Sequence, residues 1–136
     1  MTSVQPLNAQ STQYPVLTVQ RAERAIRCSP FQLPLFAAMR VNSIPLPAIA
    51  GGAGAERHYT KRPLSEFAVE SALLWLIQVG ILRREVDGQG ITDSFRLTPL
   101  GRQLLEKWEH QGGVFPPPSF LNRFYNALSR WVRLPF

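Results

Sequence analysis

This 136-residue chain contains a single cysteine, Cys28. An intrachain disulfide and a cysteine-rich metal site are therefore both excluded. Long hydrophobic runs are missing too: the longest uncharged apolar stretch, residues 71–82, is shorter than the roughly 20 residues that cross a bilayer. The polar residues 1–16 show no basic start and no apolar run, so no signal peptide is predicted. We expect a soluble, cytoplasmic protein.

Signatures of catalysis are also lacking. The sequence contains no Gly-x-Ser-x-Gly and no His-Glu-x-x-His, and residues 51–54 lack the Lys-Ser/Thr pair that follows a phosphate-binding glycine loop. The two histidines, His58 and His110, are far apart and have no Cys or paired carboxylates at ligand spacing. We therefore expect a protein that is not an enzyme and that holds neither a cofactor nor a metal.

Lysine is scarce, and the basic character comes from 13 arginines within a net charge of +6. Arginine suits bidentate contacts to phosphate or carboxylate groups. Residues 1–63 carry seven basic and two acidic groups (+5), residues 64–112 carry five and seven (−2), and residues 113–136 carry three arginines and no acid (+3). The two ends of the chain therefore favour an acidic partner, whereas the middle does not.

Composition and hydrophobic spacing divide the chain into four parts. We predict a disordered leader (1–17), a folded domain (18–112), a proline-rich linker (113–118) and a basic amphipathic helix (119–136). In the first half of the domain, the pattern predicts a helix from Thr18 to Cys28 and a second, capped by Ser29-Pro30, to about Arg40. A short helical turn within residues 43–50 and a flexible loop over residues 51–62 complete this half.

The second half of the domain has the stronger signal. Pro63 to Val79 reads as a long helix that Gly80 ends, followed by strands over 81–86 and 91–97 around an Asp87–Gly90 turn. Thr98-Pro99 then caps another helix, which ends at the Gly112-Gly113 pair. The chain is therefore predicted to be mostly α with a small β-hairpin. The side chains predicted to be buried are Leu64, Phe67, Ala68, Leu74 and Trp75 in the first helix, and Leu100, Leu104, Leu105 and Trp108 in the second.

Residues 76–90 (LIQVGILRREVDGQG) and 95–105 (FRLTPLGRQLL) resemble the wing and following helix of the MarR and PadR type of bacterial transcription regulators. The resemblance implies a winged helix-turn-helix domain that binds nucleic acid. The whole chain also resembles a small uncharacterised cyanobacterial protein family, from which no function carries over.

The resemblance implies a nucleic-acid site on the hairpin. The basic loop over residues 57–62, which precedes the long helix, would extend this site. Arginine in a wing suits contact with the DNA backbone or minor groove. The helix before the wing would read bases, yet it offers Glu66 and Glu70, and no Lys, Arg, Asn or Gln before Gln78. The predicted site consists of Arg57, Lys61, Arg62, Arg83, Arg84 and Arg96.

The last helix, predicted from Phe120 to Leu134, carries six large apolar residues at helical spacing and arginines largely opposite. It could pack on its own domain, build a homodimer, or lie on an acidic membrane or in a partner's groove. We expect that its apolar face is not left in water, because burial is worth about 1.5–3 kcal/mol per side chain. The predicted contact residues are Phe120, Phe124, Leu128, Trp131, Arg123 and Arg130.

Two functions follow from these patterns. The leading one is a nucleic-acid-binding protein of the transcription-regulator type. The alternative is a protein-docking winged helix that binds a partner complex or a membrane surface through its acidic helix face and its last helix.

Overall fold

The computed structural model describes residues 13–86, 93–112 and 119–132. Within these ranges the chain forms seven helices and a three-stranded antiparallel sheet, so it is mostly α with a small β-hairpin, as predicted. The elements in chain order are α1 (Val16–Arg27), α2 (Leu33–Val41), β1 (Ile44–Pro45), α3 (Leu46–Ile49), α4 (Gly51–Glu56), α5 (Glu66–Gln78), β2 (Leu82–Val86), β3 (Asp93–Leu97), α6 (Pro99–His110) and α7 (Phe120–Val132).

The sheet has the strand order β1-β3-β2. The predicted hairpin is confirmed, with Leu82 opposite Leu97 and Arg84 opposite Phe95, and its predicted turn lies outside the described residues. The short strand β1 was not predicted, and it places Ile44 opposite Phe95 on the other edge of β3. Phe95 and Leu97 are buried, because alternate side chains of β3 point to the same face and that face meets the helices.

The hydrophobic core lies around α5, where Val69, Leu73 and Leu76 are fully buried. Helix α2 contributes Leu35 and Phe36 to the same cluster. Burial of side chains of this size stabilises the fold by about 1.5–3 kcal/mol each. The fold therefore depends mainly on α2, α5, the sheet and α6.

The predicted buried stripe of α5 is wrong for three of its residues. Phe67, Ala68 and Leu74 are exposed, whereas Trp75 is buried as predicted and Leu64 is packed against the core. The second half of this helix is apolar nearly all round, so its hydrophobic pattern alone cannot select the face that is buried. The face that packs inward is made of Val69, Ala72, Leu73, Trp75 and Leu76.

The start of the second helix is also corrected. The Ser29 hydroxyl donates to the Ile26 carbonyl and accepts from the Phe31 N–H, so Ser29 belongs to the end of α1 and caps no new helix. Phe31 then pairs with Thr60 in a short antiparallel bridge. Helix α2 begins at Leu33, and α1 begins at Val16, so Thr18 is not the cap of the first helix.

The glycine-rich segment after α3 is helical instead of a flexible loop. Helix α4 covers Gly51–Glu56, and the Gly54 carbonyl accepts from the Tyr59 N–H at 2.9 Å. A Cβ built on Gly54 would lie 1.8 Å from the Ile49 carbonyl oxygen, so only glycine allows α4 to approach α3 this closely. Chain packing against α3 therefore orders residues that the composition alone marks as loop.

Apart from the buried face of α5, the second half of the domain agrees with the prediction. Gly80 has a φ of +92° and ends α5, and the Thr98 hydroxyl accepts from the Gly101 N–H at 3.1 Å to cap α6. The predicted apolar residues of α6 are buried. The predicted linker over residues 113–118 lies outside the described residues. Among the helices of the described ranges, none has the length and apolar character that a bilayer span requires.

Candidate functional site

The six predicted nucleic-acid contacts fall into two groups in the structure. Arg57, Lys61 and Arg62 are exposed in the segment that follows α4. Within the ranges that the structure describes, none of these three forms an ion pair, and Arg57 makes a long 3.5 Å contact with the Ala48 carbonyl. This segment is the part of the predicted site whose positive charge is available to a partner.

The arginines of the hairpin are engaged with their own chain. Arg83 pairs with Glu85 at 2.9 Å, and Arg84 lies 3.5 Å from Asp93. Arg96 donates to the Val41 carbonyl at 3.1 Å. A phosphate that approached this hairpin would have to compete with the carboxylates, which reduces the value of Arg83 and Arg84 as phosphate ligands.

The exposed face of α5 mixes acidic and apolar side chains. Glu66 and Glu70 are exposed there, and Phe67 and Leu74 expose 81% and 43% of their surface. Carboxylates are repelled by the phosphates that line a DNA groove. The exposed carboxylates of α5 therefore weaken base reading by this helix. Phe67 and Leu74, which the sequence pattern predicts to be buried, instead form an apolar surface beside them.

Helix α7 turns its polar side toward the rest of the chain. The Trp75 indole N–H donates to the Asn126 side chain at 3.0 Å, and Arg130 donates to the Ser71 hydroxyl at 2.8 Å. Ser129, on the same side of α7, is only 2% exposed. Asn126 bonds to Trp75, and Arg130, one turn later in α7, bonds to Ser71, one turn earlier in α5. The two helices therefore run antiparallel.

The opposite side of α7 is apolar and faces solvent. Leu128 is half-buried. Of the arrangements left open for this helix, the structure shows contact with its own domain through the polar side only. Hydrogen bonds to α5 orient the helix so that its apolar face points away from the domain. The expectation that this face is covered by a second copy, a partner or a membrane stays a prediction. The apolar face of α7 consists of Phe120, Leu121, Phe124 and Trp131, which are 80%, 58%, 48% and 71% exposed.

Partly buried arginines lie on α1 and on α7. The Arg24 guanidinium is 5.7 Å from the centre of the Tyr125 ring, and burial lowers the pKa of Arg24 and of Arg130. The Nε–H of Arg21, and the Nε and one terminal nitrogen of Arg24, are buried without a hydrogen-bond partner in the part of the chain that the structure describes. Buried guanidinium groups of this kind favour an anionic neighbour.

Cys28 lies at the end of α1, close to the same arginines. Burial raises the pKa of its thiol, although Arg123, Arg27 and Arg24 act in the opposite direction. A thiol with a raised pKa is protonated at neutral pH and is a poor nucleophile. No group of three potential metal ligands occurs in residues 13–86, 93–112 and 119–132.

Comparison with known proteins gives one match. The model of the Npun_F0494-like family matches residues 12–130, which is most of the chain. No curated protein and no solved structure matches the chain.

Proposed function

The chain belongs to the Npun_F0494-like family, and we propose that it is a non-enzymatic docking module of the winged-helix type, which binds its partner through α7. The first support comes from the order of elements. Helix α5, Gly80, the β2–β3 hairpin and α6 follow one another as the resemblance to MarR and PadR regulators implies. Strand β1 extends the hairpin into a three-stranded sheet.

The observation that carries the proposal is the orientation of α7. Its polar side is bonded to α5, and its apolar face points to solvent. Exposed apolar patches of several large side chains mark interaction sites on soluble proteins. Burial of each such side chain against a partner is worth about 1.5–3 kcal/mol when complete. The geometry therefore supports α7 as the docking element.

A photo-crosslinking experiment tests the proposal. The photoreactive amino acid p-benzoylphenylalanine replaces Phe124 in the full chain, which is expressed in its native host and irradiated after nuclease treatment. Val41 is the matched control, because it is also an exposed apolar residue, 63% exposed, on α2. We expect an adduct, with a protein or with a lipid, from position 124 and none from position 41. Equal yields at both positions, or no adduct at position 124, contradict the proposal.

Nucleic-acid binding is the second candidate function. It is favoured by Arg57, Lys61 and Arg62, which are exposed, close in sequence and without an ion pair in the described ranges. Three phosphate contacts would make the logarithm of duplex affinity fall with the logarithm of salt at a slope of about −3. The apolar face of α7 has no role in this function.

The test compares two triple variants in a salt titration of duplex binding. Replacement of Arg57, Lys61 and Arg62 by Ala is expected to remove the binding. Replacement of the hairpin arginines, R83A/R84A/R96A, is expected to change the slope little, because two of them are paired with carboxylates and the third is bonded to the backbone. A wild-type protein that binds no duplex at low salt excludes this function.

A further inference from the structure

We propose that the apolar face of α7 docks on the surface of an anionic lipid bilayer. This inference rests on the proposed function, because it names the partner of the same helix. It follows from the orientation of α7, from the charges around it and from the area of its apolar face.

The orientation of α7 is the first step. Hydrogen bonds from Trp75 to Asn126 and from Arg130 to Ser71 hold its polar side on α5, so its apolar face projects away from the folded domain. A helix that lies flat in this way can sink its apolar side about 5–10 Å into the boundary between headgroups and acyl chains. Trp131 and the two phenylalanines are side chains that suit this boundary, where Trp is enriched.

The charge around α7 is the second step. Residues 119–132 contain Arg123 and Arg130 and no carboxylate. Helix α1, on which α7 packs, adds Arg21, Arg24 and Arg27, and its single carboxylate, Glu23, is paired with Lys107 of α6. Helices α7 and α1 together therefore carry a net positive charge, with Arg123 exposed on α7, and this sign complements lipid phosphate.

The carboxylates of α5 are placed where they do not oppose this contact. Successive residues of a helix are separated by about 100° around its axis. Glu66 and Glu70 therefore lie about 100° or more around α5 from Ser71 and Trp75, the residues that bond α7. The acidic face is directed away from the helix that meets the lipid.

A second copy of the chain fits the apolar face less well. The four exposed side chains offer on the order of 500 Å², whereas a stable protein interface buries about 800 Å² on each partner. Neither α7 carries a carboxylate that could pair with the exposed Arg123 of a second copy. A bilayer requires no complementary shape and supplies the opposite charge.

Vesicle flotation tests the proposal with the full-length protein. The vesicles contain phosphatidylcholine alone, or phosphatidylcholine mixed with the anionic lipid phosphatidylglycerol. We expect the wild type to float with the anionic vesicles and W131E to lose at least about tenfold in affinity. Val41→Glu is the matched control, because it adds the same charge at another exposed apolar position, and we expect it to bind within about twofold of the wild type.

A second variant keeps the test independent of the tryptophan. Arg123→Glu reverses one exposed charge of α7 without a change to the apolar face, and we expect it to weaken binding to anionic vesicles about tenfold at low ionic strength. Circular dichroism confirms that each variant is folded. Binding by both variants at the wild-type level overturns the proposal.

The other outcomes separate this inference from the docking function. If the wild-type protein floats with neither kind of vesicle, or equally with both, the proposal that α7 docks on an anionic bilayer is overturned. A crosslinked protein at position 124 without vesicle binding leaves α7 as a docking element and assigns it a protein partner. If the wild type forms a dimer that W131E dissociates, and neither binds vesicles, a second copy of the chain covers the apolar face. That result also overturns the proposal of a lipid surface.

Discussion

A single methyl group at Gly54 tests the close packing of α4 on α3. In Gly54→Ala the new Cβ would lie 1.8 Å from the Ile49 carbonyl oxygen and 2.7 Å from the Ile49 carbonyl carbon. Both are backbone atoms, so no side-chain rotation relieves the contact, and the two helices must separate by roughly 1.5 Å to restore ordinary contact. Ile49 is fully buried, so this movement also disturbs the core.

The expected cost of Gly54→Ala is about 3 kcal/mol in the free energy of unfolding, at the upper end of the range for overpacking. The gain from the helix propensity of alanine, about 0.5–1 kcal/mol, offsets only part of it. Gly52→Ala is the control, because a Cβ there has nothing within 4 Å, and we expect it to be neutral or to stabilise by up to about 1 kcal/mol.

Urea unfolding followed by circular dichroism measures both glycine variants against the wild type. The midpoint of Gly54→Ala should fall clearly and its melting temperature should drop by about 10 °C. A Gly54→Ala protein as stable as Gly52→Ala would show that α4 does not pack on α3 as described, and it would refute the reasoning.

Three further predictions follow from individual contacts. Arg40 donates to both carboxylate oxygens of Glu109, at 2.8 and 3.0 Å, and this bond holds the Glu109 pKa below its usual value. Because the folded pKa is the lower one, the pair stabilises the protein above the unfolded pKa of about 4.3 and loses its effect as the pH falls through the folded value. Arg40→Ala should therefore cost less than about 1 kcal/mol at pH 7 and nothing in acid, in urea titrations at both pH values. Thr98→Ala should cost about 1–2 kcal/mol in the same assay, because the hydroxyl caps α6, and Thr98→Ser should restore most of it; equal values for the two would exclude the cap. Asn126→Ala removes the acceptor of the Trp75 indole and should speed amide hydrogen exchange in α7, whereas unchanged exchange would mean that this bond does not hold the helix.

The second half of the domain could be predicted from the sequence because its signals are local. Gly80 adopts a left-handed conformation that other residues avoid, and Thr98 and Pro99 have the cap and first-turn chemistry of a helix start. These features depend on neighbours in sequence, so one chain is enough to find them.

The parts that could not be predicted depend on how helices pack against one another. Helix α4 exists because Gly54 fits against Ile49, although its glycines favour a loop by propensity. The exposure of Phe67 and Leu74 depends on which face of a nearly all-apolar helix meets the core. Neither outcome has a signal in the local pattern.

The candidate site divides in the same way. The sequence pattern predicts the helix and its apolar face. In the structure the Ser119 hydroxyl accepts from the Asn122 N–H at 3.1 Å at the start of this helix. The pattern does not predict that α7 packs with its polar side inward, because that orientation requires the partners Trp75 and Ser71 on α5. The ion pairs that occupy Arg83 and Arg84 are likewise visible only in the folded hairpin.

The orientation of α7 is the central claim, and thiol labelling tests it most directly. In a Cys28→Ser background, single cysteines replace Phe124 on the apolar face and Ser129 on the polar side, which is 2% exposed. The structure predicts that Cys at position 124 reacts at least about tenfold faster than Cys at position 129, because a buried thiol is shielded from the reagent. A faster reaction at position 129 would mean that the apolar face is turned inward, and it would contradict the proposed docking surface.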